Sequence, residues 1–177
     1  MKQFIVIVFY LYTLIANAEN YSITKPGAWE VERTVDAIEK LYGKKMMEKD
    51  SRVKVVLPKY TSYGGSVPLS ISTDIPAKSI AVLQDANPRA LVAVFSVNNN
   101  PKPSYSIMIK MRQTAFITIV VEGKDGKLYF HEQELEVSSS PICGSGYGVK
   151  KSIYASGAWE RSLDKFDSVE DMQKLVE

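Results

Sequence analysis

The chain carries two hydrophobic rhythms, and the change falls near residue 50. Between Pro26 and Gly43, Val31, Val35, Ile38 and Tyr42 recur at spacings of four, three and four, with Glu32, Arg33, Asp36, Glu39 and Lys40 between them. That period predicts an amphipathic helix with proline at its entry and glycine at its exit. From Val53 the period falls to two: Val53, Val55 and Leu57 alternate with Lys54 and Val56 until Pro58 ends the run. Six more strand-like runs follow, at residues 67–72, 79–84, 90–97, 104–111, 116–122 and 127–137. Turn clusters separate them: Tyr63-Gly64-Gly65, Asp74-Ile75-Pro76, Asn87-Pro88, Asn98-Asn99-Asn100-Pro101 and Lys124-Asp125-Gly126. Asp125-Gly126 between two alternating runs predicts a tight hairpin.

Seven short strands, with turn signals about every 8–12 residues, predict an antiparallel sandwich or barrel. Alternation of polar and apolar positions argues against a parallel sheet covered on both faces. The Cys…Trp…Cys spacing of antibody domains is absent. The expected fold is therefore mainly β: an immunoglobulin-like antiparallel β-sandwich without a disulfide, its N-terminal helix covering one sheet or an open edge. Ser168, Asp171, Met172, Leu175 and Val176 add a short, capped C-terminal helical tail. Gly157-Ala158-Trp159-Glu160 repeats Gly27-Ala28-Trp29-Glu30 word for word.

The first eighteen residues follow another logic. Met1-Lys2-Gln3 is a short positive start, an apolar run covers residues 4–15, and Ala16-Asn17-Ala18 is a small-x-small cleavage site. This order predicts a secretory signal peptide, with an apolar run short for a bilayer span and no second run of membrane length after it. Cleavage leaves residues 19–177, with 21 Lys+Arg against 20 Asp+Glu once Lys2 is gone. The expected location is a bacterial periplasm. The expected plan is 1–18 signal peptide, 19–51 helical segment, 52–137 sandwich, 138–148 cysteine-bearing segment and 149–177 C-terminal extension. So even a charge balance excludes a dedicated nucleic-acid binder. One Cys and one His exclude a disulfide framework and a structural Cys/His zinc site, and no cofactor is expected.

Export changes the meaning of the single cysteine, because an unpaired thiol in an oxidising compartment tends to be capped or joined to another molecule. Cys143 lies in Ser138-Ser139-Ser140-Pro141-Ile142-Cys143-Gly144-Ser145-Gly146-Tyr147-Gly148, where eight of eleven residues are Ser, Pro or Gly. Such neighbours do not build a core around a thiol, so the composition points to an accessible one. A Gly/Ser segment is a poor mount for the fixed base and oxyanion site of nucleophilic catalysis. It suits a handle for covalent cargo. His131, among Glu132 and Glu134, reads as an exposed strand histidine rather than a base for the thiol, and Lys150 and Lys151 favour the thiolate only weakly.

The order of features resembles the SoxY family, the sulfur-carrier subunits of bacterial thiosulfate oxidation. The resemblance rests on Val53-Lys54-Val55-Val56-Leu57-Pro58, Gly65-Ser66-Val67-Pro68-Leu69-Ser70-Ile71, Asp85-Ala86-Asn87-Pro88-Arg89-Ala90-Leu91-Val92-Ala93 and Ile109-Lys110-Met111-Arg112-Gln113-Thr114. It implies a carrier that is not itself an enzyme, paired with a SoxZ-like subunit. It implies Cys143 as the covalent sulfur attachment site, with Gly144 and Gly146 in its flexible arm. A Sox haem enzyme that joins thiosulfate to the thiol, and a hydrolase that releases sulfate, are the implied transient partners. The family's arm ends in Gly-Gly-Cys-Gly-Gly at the carboxyl terminus; here Pro141-Ile142 stands upstream and 34 residues follow Cys143. Two other readings stay open: an accessory, non-carrier subunit in which the cysteine is unused, and a thiol enzyme working alone.

Overall fold

The computed structural model describes residues 19–43, 46–62 and 64–138. The chain opens with a short helix α1 (Tyr21–Thr24), a 3-10 turn (Pro26–Trp29) and helix α2 (Thr34–Tyr42). Nine strands follow: β1 (Met47–Lys49), β2 (Val53–Val56), β3 (Tyr60–Thr61), β4 (Val67–Thr73), β5 (Ala77–Gln84), β6 (Leu91–Ser96), β7 (Ser104–Ile109), β8 (Ala115–Gly123) and β9 (Leu128–Val137). One sheet has the order β1-β9-β8-β5-β6, with β3 also paired to β9; the other is β2-β4-β7. The body of both sheets is antiparallel. All seven expected strands are present, and the mainly β sandwich with an N-terminal helix is the observed architecture. The expected C-terminal helical tail and the second Gly-Ala-Trp-Glu lie outside the described residues, as does the leader.

Two strands were not foreseen. β1 and β3 are three and two residues long and pair in parallel with β9. Segments that short have no period to read, so their pairing is set by where the chain passes. β1 falls within the segment expected to be helical, which thus contributes a strand of its own to the larger sheet.

The helix also corrects the sequence reading. Pro26 opens the separate 3-10 turn, and Arg33 is still extended (φ −101°, ψ 137°), so α2 begins at Thr34. Val31 is outside the helix and its carbonyl accepts from Ala90 N at 2.9 Å, tying it to the loop before β6. The buried face is Thr34, Ala37, Ile38, Leu41 and Tyr42, the i, i+3, i+4, i+7, i+8 stripe, and not the expected one through Val31 and Val35. Gly43 closes the helix, donating to Glu39 O at 2.7 Å.

That stripe packs on the outer face of the larger sheet. Ala81 and Leu83 of β5, Val120 of β8, and Leu128 and Phe130 of β9 join the helical residues in one cluster. The opposite residues, Ile80, Val82, Ile117, Ile119, Val121, Tyr129 and Leu135, face β2 and β4 in the sandwich core with Val53, Val67, Leu69 and Ile71. The molecule is therefore three-layered: helices, sheet, sheet. Because its larger sheet is covered on both sides, β5 and β8 are nearly continuous apolar runs, and the expected polar–apolar alternation fails there. The smaller sheet keeps it, with β4 alternating between buried and less buried positions.

The β8–β9 hairpin is as predicted. Gly126 N donates to Gly123 O at 3.0 Å and Gly123 N to Lys127 O at 2.9 Å. Gly126 sits at φ +81°, in the left-handed region that a side chain disfavours.

Candidate functional site at the root of the cysteine segment

Cys143, Gly144 and Gly146 lie outside the described residues, as do Lys150 and Lys151. The structure describes the root from which their segment departs, the end of β9. Cys143 is the sixth residue after Val137, a reach of at most about 20 Å.

Four elements hold that root. β3 runs beside it in parallel: Glu136 N donates to Lys59 O at 2.9 Å, and Ser138 N to Thr61 O at 2.9 Å. Thr114, just before β8, grips the last strand residue in both directions, its Oγ1 accepting from Val137 N at 3.0 Å and donating to Val137 O at 3.3 Å. Gly64 packs against the same residue from the β3–β4 connection, and its carbonyl accepts from Met111 N at 2.7 Å. A Cβ on Gly64 would lie 2.0 Å from Met111 O and 3.1 Å from Val137 Cγ1, so only glycine lets these backbones approach. Upstream, Gln133 Nε2 donates to Leu57 O at 3.0 Å.

A second layer fixes the β7–β8 connection that supplies Met111 and Thr114. Asn87 Nδ2 donates to Lys110 O at 2.8 Å. The loop carrying Asn87 is organised from within by Gln84, 1% exposed, whose Oε1 accepts from Ala86 N and Asn87 N (2.8 and 3.0 Å) while Nε2 donates to Arg89 O (3.1 Å). A buried amide with both ends satisfied in this way specifies one loop geometry. Asp85 extends the connection to the helices, its Oδ1 accepting from Thr34 N at 3.1 Å and from Thr34 Oγ1.

The stretches that carried the sequence resemblance thus contribute to one end of the sandwich, 53–58 through Leu57 O. Residues 85–93 form the Gln84 loop and the start of β6, 109–114 supply the Met111 and Thr114 contacts, and 65–71 follow Gly64 into β4. Sequence reading named Thr114 without its role. It missed Thr61, Gly64 and Gln84 as site residues; the Tyr63-Gly64-Gly65 turn cluster was the signal available for one of them.

His131 stands six residues before Val137 on β9, about 20 Å back along the strand from the root. It is half-buried, not exposed as expected, because β9 is an interior strand between β1 and β8. Burial, with Lys49 nearby, holds its imidazole below the usual histidine range.

Fold and site together define a class: a β-sandwich with its larger sheet covered on both faces, in which the last described strand is locked at its end, just before a segment bearing the chain's single cysteine. A family model described as sulfur oxidation protein SoxY matches residues 38–140, more than half of the chain, and this chain belongs to the SoxY family. The match ends three residues before Cys143. Among solved structures, the chain is similar to the sulfur carrier protein SoxY from Chlorobium limicola f thiosulfatophilum, at 30% identity and a TM-score of 0.55, over 59% of this chain and 94% of that one. Superoxide reductases are more distant. The neelaredoxin of Ignicoccus hospitalis aligns at 10% identity and TM-score 0.41 over 49% of this chain and 79% of its own. A putative superoxide reductase of Thermotoga maritima aligns at 12% and 0.43 over 54% and 95%. Neither bears on function. Comparison with curated proteins gives no match.

Proposed function

We propose that this chain is a periplasmic sulfur carrier that holds thiosulfate-derived intermediates covalently on Cys143 while partner enzymes act on them. The observation that supports it most is the locked end of β9, in a SoxY-family sandwich, six residues before the single cysteine. A rigid root and a Gly/Ser-rich segment suit presentation of a thiol to other proteins better than catalysis in place.

In the chemistry this implies, the Cys143 thiolate and thiosulfate form a sulfur–sulfur bond and two electrons pass to a haem enzyme. Water then attacks the terminal sulfonate sulfur. Sulfate leaves with release of two protons, and one sulfane sulfur stays on Cys143. The carrier contributes the thiol and its position; oxidation and hydrolysis belong to the partners. A SoxZ-like subunit completes the heterodimer. The edge strand β6 supports a protein partner, since among the described residues Leu91-Val92-Ala93-Val94-Phe95-Ser96 has a strand neighbour on one side only and carries no charged residue.

One observation favours a second reading, in which the chain is an accessory subunit with an unused cysteine: Pro141-Ile142 precedes Cys143 and 34 residues follow it. Intact mass decides between them. Protein purified without reductant from thiosulfate-oxidising cells carries sulfur or thiosulfonate adducts that reductant removes and Cys143→Ser lacks, if the carrier reading holds. An unmodified thiol during active oxidation overturns it in favour of the accessory subunit.

A further inference from the structure

A polar cleft of about 340 Å³ opens on the helix-covered side of the larger sheet, far in sequence from the cysteine segment, and its lining includes Glu19, Tyr21, Lys78, Ser96, Glu122 and Lys124. From its lining residues Tyr21 and Glu122 a hydrogen-bonded chain runs into the protein. Tyr42 Oη and the fully buried Ser79 Oγ are 3.1 Å apart, Ser79 Oγ donates to Glu122 Oε2 at 3.2 Å, and Tyr21 Oη reaches the same oxygen at 3.4 Å. The Glu122 side chain is only 14% exposed, and its other oxygen, Oε1, has Lys78 Nζ at 3.9 Å, beyond hydrogen-bond distance. Desolvation, together with the Glu122 and Glu19 carboxylates, pushes Tyr21 up to about 12, and burial raises Tyr42 as well. The two phenols therefore stay neutral, and the largely buried Glu122 side chain faces the cleft.

Glu19 is the residue at the other side, and its position is fixed: Ser96 Oγ donates to its carbonyl, and its carboxylate accepts from Thr24 Oγ1 at 2.9 Å. It is also the first residue after the small-x-small site at Ala16-Asn17-Ala18. Cleavage there turns the Glu19 backbone nitrogen from a neutral amide into an ammonium beside this cleft. We propose that the cleft is a binding site for a primary ammonium, and that its occupant is the chain's own amino terminus freed at Ala18–Glu19, held by Glu122. Removal of the leader then does more than release the protein. It creates the cation that fastens α1 to β5, β6 and β8. The charged groups facing the amine are Glu19 and Glu122, which favour it, and Lys78 and Lys124, which oppose it. The inference rests on cleavage after Ala18 and is independent of the carrier reading.

The test uses residues 19–177 released from a cleavable fusion so that Glu19 is the first residue. The unmodified α-amine is titrated by NMR in nitrogen-15- and carbon-13-labelled protein, through the nitrogen and Cα shifts of Glu19. An unstructured amino terminus titrates near 7.7–8.0. The expected result is a rise of at least about 0.5 unit, abolished by Glu122→Gln and enlarged by Lys78→Gln, which removes a competing cation. Glutamine still accepts from Ser79 and Tyr21, and Lys78 is half-exposed, so the two variants are independent arms. Because the amine's folded pKa is raised, its stabilisation is full below the ordinary value and is lost as pH rises through the raised one. The chain beginning at Glu19 therefore melts above one carrying Gly-Ser ahead of Glu19 at neutral pH, and the gap closes in alkali. An amine within about 0.2 unit of the ordinary value, or a rise that survives Glu122→Gln, overturns the proposal. So does an intact mass from exporting cells that begins at any residue other than Glu19, whatever adducts Cys143 carries.

Discussion

Replacing Gly64 by alanine tests whether the root of the cysteine segment is held as described. The added Cβ would lie 2.0 Å from Met111 O, about 1 Å inside the closest approach real Cβ atoms make, and 3.1 Å from Val137 Cγ1. The obstacle is backbone, so no side-chain rotation relieves it. Separation of the two segments breaks the 2.7 Å bond from Met111 N to Gly64 O, a net loss of about 1 kcal/mol. Overpacking beside the buried Met111 and the half-buried Val137 adds about 1–3 kcal/mol. The sum, about 2–4 kcal/mol, corresponds to a fall in Tm of roughly 8–16 °C for a domain of this size. Urea and thermal unfolding read it directly. Gly27→Ala is the control, since its Cβ would meet only Lys40 side-chain atoms at 3.5 and 3.7 Å and its cost stays within about 0.5 kcal/mol. A Gly64→Ala protein as stable as the control would refute the close approach, and with it the account of how Val137 is fixed. Amide exchange at Val137 and Ser138 locates the damage: both exchange faster in the variant if the disturbance reaches the strand end.

Two further predictions concern the same strand. Thr114→Val keeps the shape but leaves the Val137 amide and carbonyl without the hydroxyl, costing about 1–2 kcal/mol, whereas Thr114→Ser stays within about 0.5 kcal/mol; urea titration of both separates hydroxyl from methyl. His131 has its folded pKa held below the unfolded value of about 6.5, so its contribution to stability is full above that pH and is lost as pH falls from there through the lower folded value. Unfolding measured from about pH 8 to pH 5 shows a decline that His131→Gln diminishes, and an unchanged profile in the variant would remove burial as its cause.

Much of this protein was legible before any coordinates. The strand runs were written in a period of two and the hairpin in Asp125-Gly126, because turn geometry and half-buried strands are local requirements met by local residue choice. The leader pattern and the odd cysteine follow from order and composition. The alternation expected over residues 79–84 fails, because that strand is covered on both faces. Ala81 and Leu83 are buried only because α2 covers them, and that depends on packing between elements far apart in the chain.

The rest was decided by tertiary structure for the same reason. The face of α2 turned on one boundary residue: with Arg33 extended, the helix starts at Thr34 and its stripe passes through Ala37 and Leu41, both unremarked in sequence. β1 and β3 exist as strands because β9 lies beside them; alone, five residues in two pieces have no preference that survives the entropy of ordering them. The root of the cysteine segment is built from Thr61, Gly64, Gln84 and Thr114, between 23 and 76 residues from Val137. Hydrogen bonds to main-chain groups leave no periodic mark on the residues that make them. Sequence therefore determined the seven longer strands and where the thiol lies along the chain, and only the folded chain could show how the strand leading to it is held.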